Sequence, residues 1–402
     1  MVSLFKKRNA YRIVLLLALI VSILFLWQIG SQVLVDLKYI MGQDFAQIWA
    51  AGKLNLIGAN PYDPIQIQQI KNAIILAVEE PQVITIFYSP PWSLPIAMIF
   101  AIFPYLFSRI IWLLISIIIL LICADQLWKL YAGPKNLRRV AWMVVFSFGP
   151  TYLMLSQGQI TYWILLALVG FLGFIENKKY DYLAGACVAL ACLKPQLLYL
   201  FFISLFIWVV SMRRYKVFFG LCLTLLSATI IGLHFNHYLV GQYFNALHEY
   251  PPIAWFTPTF GAFIRLLFGL EKFWLQYTPI IFGSLWLGWY WYHHRKTWRW
   301  RNQLPILLFA SFLTTPYAWT YDQVLLLVGL IPAWIVLLHA GRRQIILFGT
   351  LYALINLAYL LLHRFLTDEY FIWLVPTLLV WYWFVNHSIG LNDSQRKALA
   401  TD

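Results

Sequence analysis

Of 402 residues, 62% are hydrophobic and 11% charged, and the mean hydropathy is +0.74, a balance that excludes a water-soluble domain of this length. The net charge of +14 does not point to nucleic acid, because Lys and Arg fall in short clusters between apolar runs rather than along one face. Cys123, Cys187, Cys192 and Cys222 all lie inside apolar runs with no metal-ligand spacing, so they read as small lipid-phase residues and say little about redox compartment.

The chain opens on MVSLFKKRNAYRIVLLLALIVSILFLW, basic and then apolar. The apolar part is too long for a signal peptide and lacks a small-residue cleavage site, so it is expected to be a retained first helix with its N-terminus in the cytoplasm. Apolar runs follow at 108–128, 140–155, 160–175, 182–193, 196–211, 217–233, 277–292, 304–315, 322–339, 344–362 and 370–386. No alternating barrel pattern is present, and in lipid only a helix or a closed barrel satisfies its own backbone. The run at 92–104 is short and punctuated by Pro90, Pro91, Pro95 and Pro104, which suits a surface helix better than a crossing.

Charge decides the topology. If 92–104 does not cross, most Lys and Arg fall on the cytoplasmic side, in clusters at 6–12, 129–139, 178–179, 213–216, 295–301, 342–343 and 396–397. If it does cross, most fall outside. The expectation is therefore an all-α polytopic protein of the cytoplasmic (inner) membrane, one domain over 1–402, with about twelve spans and both termini inside. Its long outer loops would be 36–107, carrying interfacial helices, and 234–276. The polar motifs QDFAQIW, FYSPPW, SQGQIT, LKPQ, HFNHY, TTPYAWTYD and LHRF then all face outward, as they would around one outer site.

Asp44 begins the stretch DFAQIWAAGKLN, in which Phe45, Ile48 and Trp49 repeat at helical spacing. An acid there either caps a surface helix or faces a cavity as a functional carboxylate. Tyr88 precedes a rigid Ser-Pro-Pro turn, with Trp92 just beyond it. Lys194 is flanked by apolar residues, and two readings fit it: a side chain snorkelling to the interface, or a cation held for an anionic headgroup. Gln157 and Gln159 add neutral polar groups near the same depth, and Asp322 starts an outer helix after Tyr317, Trp319 and Tyr321. Arg364, beside His363, breaks the positive-inside pattern, a hint of phosphate binding. His234 and His237 are three apart but have no completing carboxylate, and there is no phosphate-cradling glycine motif or nucleophile elbow, so neither a metal site nor another cofactor is implied.

The stretches QDFAQIWAAGKLNLIGANPYDP, FYSPPWSLPIAMIFAIFP, GQITYWILLAL, LKPQLLYLF and TTPYAWTYDQVLLLVGLIP, in this order, resemble glycosyltransferase family 87, integral-membrane enzymes of the GT-C fold. The resemblance runs from Asp44 to Pro332. It implies transfer of a sugar, often mannose, from a polyprenyl-phosphate carrier to a glycan or glycolipid acceptor outside the membrane, with membrane lipids as surroundings. It also implies Asp44 as the catalytic base, Lys194 as the cation of the Lys-Pro motif, and Asp322 in a position where relatives vary. Asp44 is followed by Phe rather than a second acid, so a divalent metal is less implied.

The chemistry asks for the same groups. A lipid-phosphate leaving group needs cations, for which Lys194 and Arg364 are the candidates, and an acceptor hydroxyl needs a base. Tyr88, Trp92, Gln159, Tyr317, Tyr321 and Asp322 are the candidate lining of the sugar and acceptor pocket. A polymerase or ligase of lipid-linked glycans, or a lipid or glycan transporter, is the competing expectation. A transporter would place its special residues at mid-membrane, commonly within an internal repeat.

Overall fold

The computed structural model describes residues 43–74, 86–253 and 255–388, together with Leu16, Ile20, Ile23, Leu24 and Trp27. The expected first span at 11–35, apart from those five residues, and the basic clusters at 6–12 and 396–397 lie outside the described residues. Everything described is helix, turn or irregular chain, without a strand. Five helical segments among the described residues are long and apolar enough to cross a membrane: Tyr105–Leu130, Pro195–Met212, Tyr215–Phe235, Thr320–His339 and Arg342–Leu362. This is an all-α membrane protein.

The first described helices, α1 (Gln43–Leu56), α2 (Pro64–Ile74) and α3 (Leu94–Ala101), precede the first long one, α4 (Tyr105–Leu130). α1 is more enclosed than a helix laid on a surface. Besides Phe45, Ile48 and Trp49, the small residues Ala46, Ala50, Ala51 and Gly52 are buried. A Cβ on Gly52 would meet the Ala97 carbonyl at 2.6 Å, so α1 and α3 touch backbone to backbone, as small residues permit in membranes. Asn55 ties the far end of α1 to the Gly232 carbonyl at 3.2 Å.

The run expected as one helix over 140–155 is two, α5 (Arg139–Phe146) and α6 (Gly149–Gln157). Pro150 is the cause, because its ring would collide with the Phe146 carbonyl of a continuous helix. The break is stabilised where the Gly149 N–H donates to Asn356 Oδ1 at 2.8 Å. α7 (Thr161–Phe174), α8 (Asp181–Ala191), α9 (Tyr199–Met212) and α10 (Tyr215–Phe235) follow. α8 and α10 approach through Gly185 and Gly220, where added Cβ atoms would lie 2.0 Å from the Val217 carbonyl and 2.3 Å from that of Tyr182. Next come α11 (Leu239–Glu249), α12 (Phe260–Phe268), α13 (Thr278–His294), α14 (Trp300–Thr314), α15 (Leu327–His339), α16 (Arg342–Leu362) and α17 (Leu374–Ser388).

Helix ends segregate into two chemically different sets. At one end the basic clusters are tied together: Arg138 pairs with Asp125, Arg214 pairs with Asp181 and donates to the Ile175 carbonyl at 3.0 Å, and Arg301 lies 3.7 Å from Glu176. Tyr131 links to the same group by donating to the Arg301 carbonyl at 2.6 Å. The opposite ends of α7 and α8 lead to Gln159 and Lys194, to which Asp44 and Asp322 are hydrogen-bonded. The clusters at 129–139, 213–216 and 295–301 therefore share one face of the protein, and the unusual polar motifs share the other.

α12, in the loop expected at 234–276, is built inside out. Phe263, Leu266, Leu267 and Phe268 are exposed while Arg265 is only 1% exposed. The Arg265 guanidinium donates to the Ile253 and Leu270 carbonyls, at 3.0 and 2.8 Å, and to Gln276 Oε1. Gln276 in turn donates to the Pro316 carbonyl at 2.9 Å. A charge turned inward and phenyl rings turned outward suit a segment bathed in lipid.

Candidate active site

Four loop ends bring the site together, each for a local reason. Asp44 stands in the first turn of α1, where a carboxylate is favoured by the helix dipole. Gln159 follows Gly158, whose φ of +72° closes α6 in the left-handed conformation, with the Gly158 and Gln159 N–H groups both donating to the Met154 carbonyl. Lys194 precedes Pro195, which keeps Lys194 extended at φ −138°, ψ 75°, so the chain turns out of α8 before re-entering helix. Asp322 lies in a 3-10 turn spanning Thr320–Leu326. One of its oxygens accepts the Trp319 N–H at 3.1 Å.

Side chains from these four ends form one continuous chain of hydrogen bonds. Gln159 Nε2 donates to Asp44 Oδ2 at 2.6 Å, and Gln159 Oε1 accepts from Lys194 Nζ at 2.9 Å. Lys194 Nζ also donates to Asp322 Oδ1 at 2.7 Å, and Thr161 Oγ1 donates to the same oxygen at 2.7 Å. The ammonium lies 4.8 Å from the centre of the Tyr321 ring. Asp322, Gln159 and Thr161 are buried, and the Lys194 side chain is 15% exposed. Asp44 is half-buried as a residue, with its carboxyl turned into the network, and burial is deepest at Asp322 and Thr161.

Burial pushes the Asp44 carboxyl above its ordinary value. The Gln159 hydrogen bond and the charges of Lys194 and Lys71 pull the other way, and Asp322 adds to the rise. The result is a carboxylate of raised basicity joined through one amide to an ammonium. Such a pair can accept a proton from a hydroxyl and stabilise negative charge a few ångströms away.

The remaining candidates are placed as follows. Tyr88 donates to the Tyr250 carbonyl at 2.8 Å, and burial raises its phenol to about 12. Tyr317 donates to the Pro252 carbonyl at 3.3 Å. Trp92 donates to the Cys192 carbonyl at 2.9 Å and so braces the turn that carries Lys194. Arg364 is exposed, with its guanidinium 5.8 Å from the centre of the Trp27 ring, and takes no part in the Asp44 network. Among the described residues no group of three His, Cys, Asp or Glu side chains is placed to hold a metal.

The family model described as Glycosyltransferase family 87 matches residues 87–316, more than half of the chain. The chain belongs to glycosyltransferase family 87. Glycosyl transfer is therefore its class of reaction, with a sugar donor and an acceptor. No curated protein and no solved structure matches it. Within this family 87 member the matched segment holds Gln159, Thr161 and Lys194, while Asp44 and Asp322 flank it, and the fold brings both flanks onto the matched core.

Several members of the site were missed in the sequence. Thr161 stands two residues from Gln159 in the same motif, and its position at the start of α7 was the available signal. Asp368 holds the Asp322 turn from another loop: it accepts the Thr320 N–H at 2.9 Å and the Thr320 hydroxyl, which lies 3.1 Å from the Tyr359 hydroxyl. Nothing local in LTDEYF marks that role. Lys71, from α2, acts on Asp44 through its charge.

Proposed function

We propose that this glycosyltransferase moves a mannose-like hexose from a polyprenyl-phosphate donor to a glycan or glycolipid acceptor on the outer face of the cytoplasmic membrane. The observation that carries the reading is the Asp44–Gln159–Lys194 connection, which sets a base and a cation side by side. The acceptor hydroxyl gives its proton to Asp44 as its oxygen bonds to the sugar C1. The bond from C1 to the phosphate oxygen breaks, and the polyprenyl phosphate leaves with the electron pair. One displacement inverts the anomeric centre, so a β-linked donor yields an α-linked product.

Lys194 is the cation proposed to meet the departing phosphate. An ammonium has three donors, and Gln159 and Asp322 use two of them. The phosphate role expected for Arg364 gains no support from this network. Tyr321, Asp322, Tyr317 and Tyr88 are proposed to line the sugar side, and Trp92 to brace it. Supporting the outward orientation, the face opposite the site carries the linked basic clusters, as the positive-inside rule requires of a cytoplasmic face. The same reading keeps a GT-C arrangement of about twelve spans with both termini inside.

The test is sugar transfer by the reconstituted protein from a panel of radiolabelled polyprenyl-phosphate sugars, with Asp44→Asn beside the wild type. Transfer by the wild type that falls ~10²- to 10⁴-fold in the variant is the expected result. Equal transfer by both removes Asp44 from the reaction, and no transfer from any lipid-phosphate sugar removes the proposed donor.

A further inference from the structure

A row of aromatic rings leads away from the Asp44 network. From Lys194 it passes to Tyr321, then to Trp319, which stacks on Tyr321 with ring centres 6.2 Å apart and planes at 23°. Trp255 comes next, 6.0 Å from Trp319, and it also stands edge-on to Tyr88 at 4.7 Å and to Tyr317 at 6.0 Å. Two other segments of chain, one at Tyr88 and one at Tyr317 and Trp319, thus converge on Trp255. Both tyrosines bind the backbone just before it, Tyr88 at the Tyr250 carbonyl and Tyr317 at the Pro252 carbonyl, so the indole is held by its surroundings.

Trp255 and Trp319 differ from indoles that bond within the fold, and from Trp112, Trp298, Trp300 and Trp334, whose unbonded ring N–H groups are buried in the core. Trp49 and Trp92 donate to the carbonyls of Phe103 and Cys192, at 3.2 and 2.9 Å. Neither Trp255 nor Trp319 donates a hydrogen bond from its ring among the described residues, and both are partly exposed. Held aromatic faces with unspent N–H donors match a molecule that is apolar on one side and hydroxylated on its edge. A pyranose ring has that character, with C–H groups on its face and hydroxyls around its rim. A polyprenyl chain would leave both donors unused. An ionic acceptor would need a counter-charge, whereas the rings of this row beyond Tyr321 are uncharged.

We propose that Trp255 and Trp319 form the acceptor subsite, which takes a neutral pyranose unit and presents its hydroxyl toward Asp44. This rests on the transferase reading above and adds the class of acceptor. The discriminating residue is Trp255, which lies outside the candidate lining read from the sequence.

The test uses the full chain in nanodiscs, with methyl α-D-mannopyranoside as the probe, and compares wild type with Trp255→Phe, Trp255→Ala and Trp319→Ala. Saturation-transfer NMR reads binding of the probe without any turnover. Transfer kinetics at varied probe concentration read the acceptor KM apart from kcat. The expected result is saturation of the ring C–H protons in the wild type, weakened in Trp255→Phe, which keeps the aromatic face but not the N–H donor, and lost in the two alanine variants. The acceptor KM should rise on the order of tenfold in those variants, the equivalent of about 1.4 kcal/mol, with kcat at saturating probe within about twofold. Unchanged KM in alanine variants that remain monodisperse overturns the subsite while leaving the transferase reading standing. Absence of probe binding to the wild type also overturns it. Binding that depends on Trp255, without transfer from any lipid-phosphate sugar, keeps the subsite and overturns the reaction.

Discussion

Gln159 joins Asp44 to Lys194 through the two ends of one amide, donating to the carboxylate at 2.6 Å and accepting from the ammonium at 2.9 Å. The order of the two ends is fixed by its neighbours, because a reversed amide would turn its N–H₂ to the ammonium and its oxygen to the carboxylate. The link orients the proposed base and keeps it ionisable despite its burial.

Gln159→Glu tests that link with little change of shape. The new carboxylate can still receive Lys194, but it faces Asp44 with like charge and no donor. Transfer is expected to fall ~10- to 100-fold, the cost of losing a hydrogen bond to a charged group. The acid limb of the rate profile should move to higher pH, since Asp44 already sits above its ordinary value and a neighbouring negative charge raises it further. Initial rates across the acid range measure both effects. A profile that keeps its midpoint would mean that Gln159 does not act on the base.

The Lys194–Asp322 pair separates folding from chemistry. Asp322 is 2% exposed, so Lys194→Met leaves a buried carboxylate without its cation, a change that costs roughly 3–5 kcal/mol in buried pairs. The double variant Lys194→Met with Asp322→Leu removes both charges and should recover much of the lost thermal stability in detergent. Neither variant should transfer sugar, because both lack the cation. Wild-type transfer by the double variant would make the pair purely structural.

Gly158 positions Asp44 from beneath. Its φ of +72° disfavours any side chain, and a Cβ there would lie 2.6 Å from the Phe45 Cβ, next to the carboxylate. Gly158→Ala should therefore push on the first turn of α1 and lengthen the Asp44–Gln159 contact. The expected outcome is a fall in kcat larger than the change in melting temperature would suggest, and misplacement of a reacting group by ~1 Å has cost 10²-fold elsewhere. Steady-state rates and a thermal melt on the same preparation decide it. A variant that melts as the wild type and turns over as fast would show that α1 absorbs the added methyl.

Much of this arrangement was legible before any coordinates, and the reason is local chemistry. Lys194 before proline, Gln159 after glycine and Asp44 opening an apolar helix each carry their own conformational instruction, so their motifs could be read one at a time. Membrane character followed from composition alone. Helix lengths were less legible, because Pro150 divides an apolar run whose hydropathy is continuous. Partners from distant loops had no signal. Asp368 meets Thr320 across 48 residues, and Trp255 meets Tyr88 and Tyr317 only through the folding of three loops. Arg364 stood out by breaking a statistical pattern, and the structure sets it against Trp27 rather than in the Asp44 network.

Asp368 gives the remaining prediction, and its sign can be worked out. Burial raises its carboxyl to about 6, with the two hydrogen bonds from Thr320 opposing and the Asp322 and Glu369 charges adding to the rise. A folded value above the free value of about 4 means that the folded protein holds this proton more tightly than the unfolded chain. The stabilisation is therefore complete below about pH 4 and is lost as pH rises through about 6. Asp368→Asn keeps an oxygen to accept the Thr320 N–H and an amide that can donate to the Thr320 hydroxyl, yet it does not titrate. At pH 4 the variant and the wild type should melt at similar temperatures, and by pH 7 the variant should melt higher. Because the Asp368 contact holds the turn that carries Asp322, Thr320→Val, which removes the hydroxyl, should reduce the transfer rate at every pH. A melting difference between Asp368→Asn and the wild type that stays constant from pH 4 to 7 would show that the carboxyl titrates alike in the folded and unfolded chain.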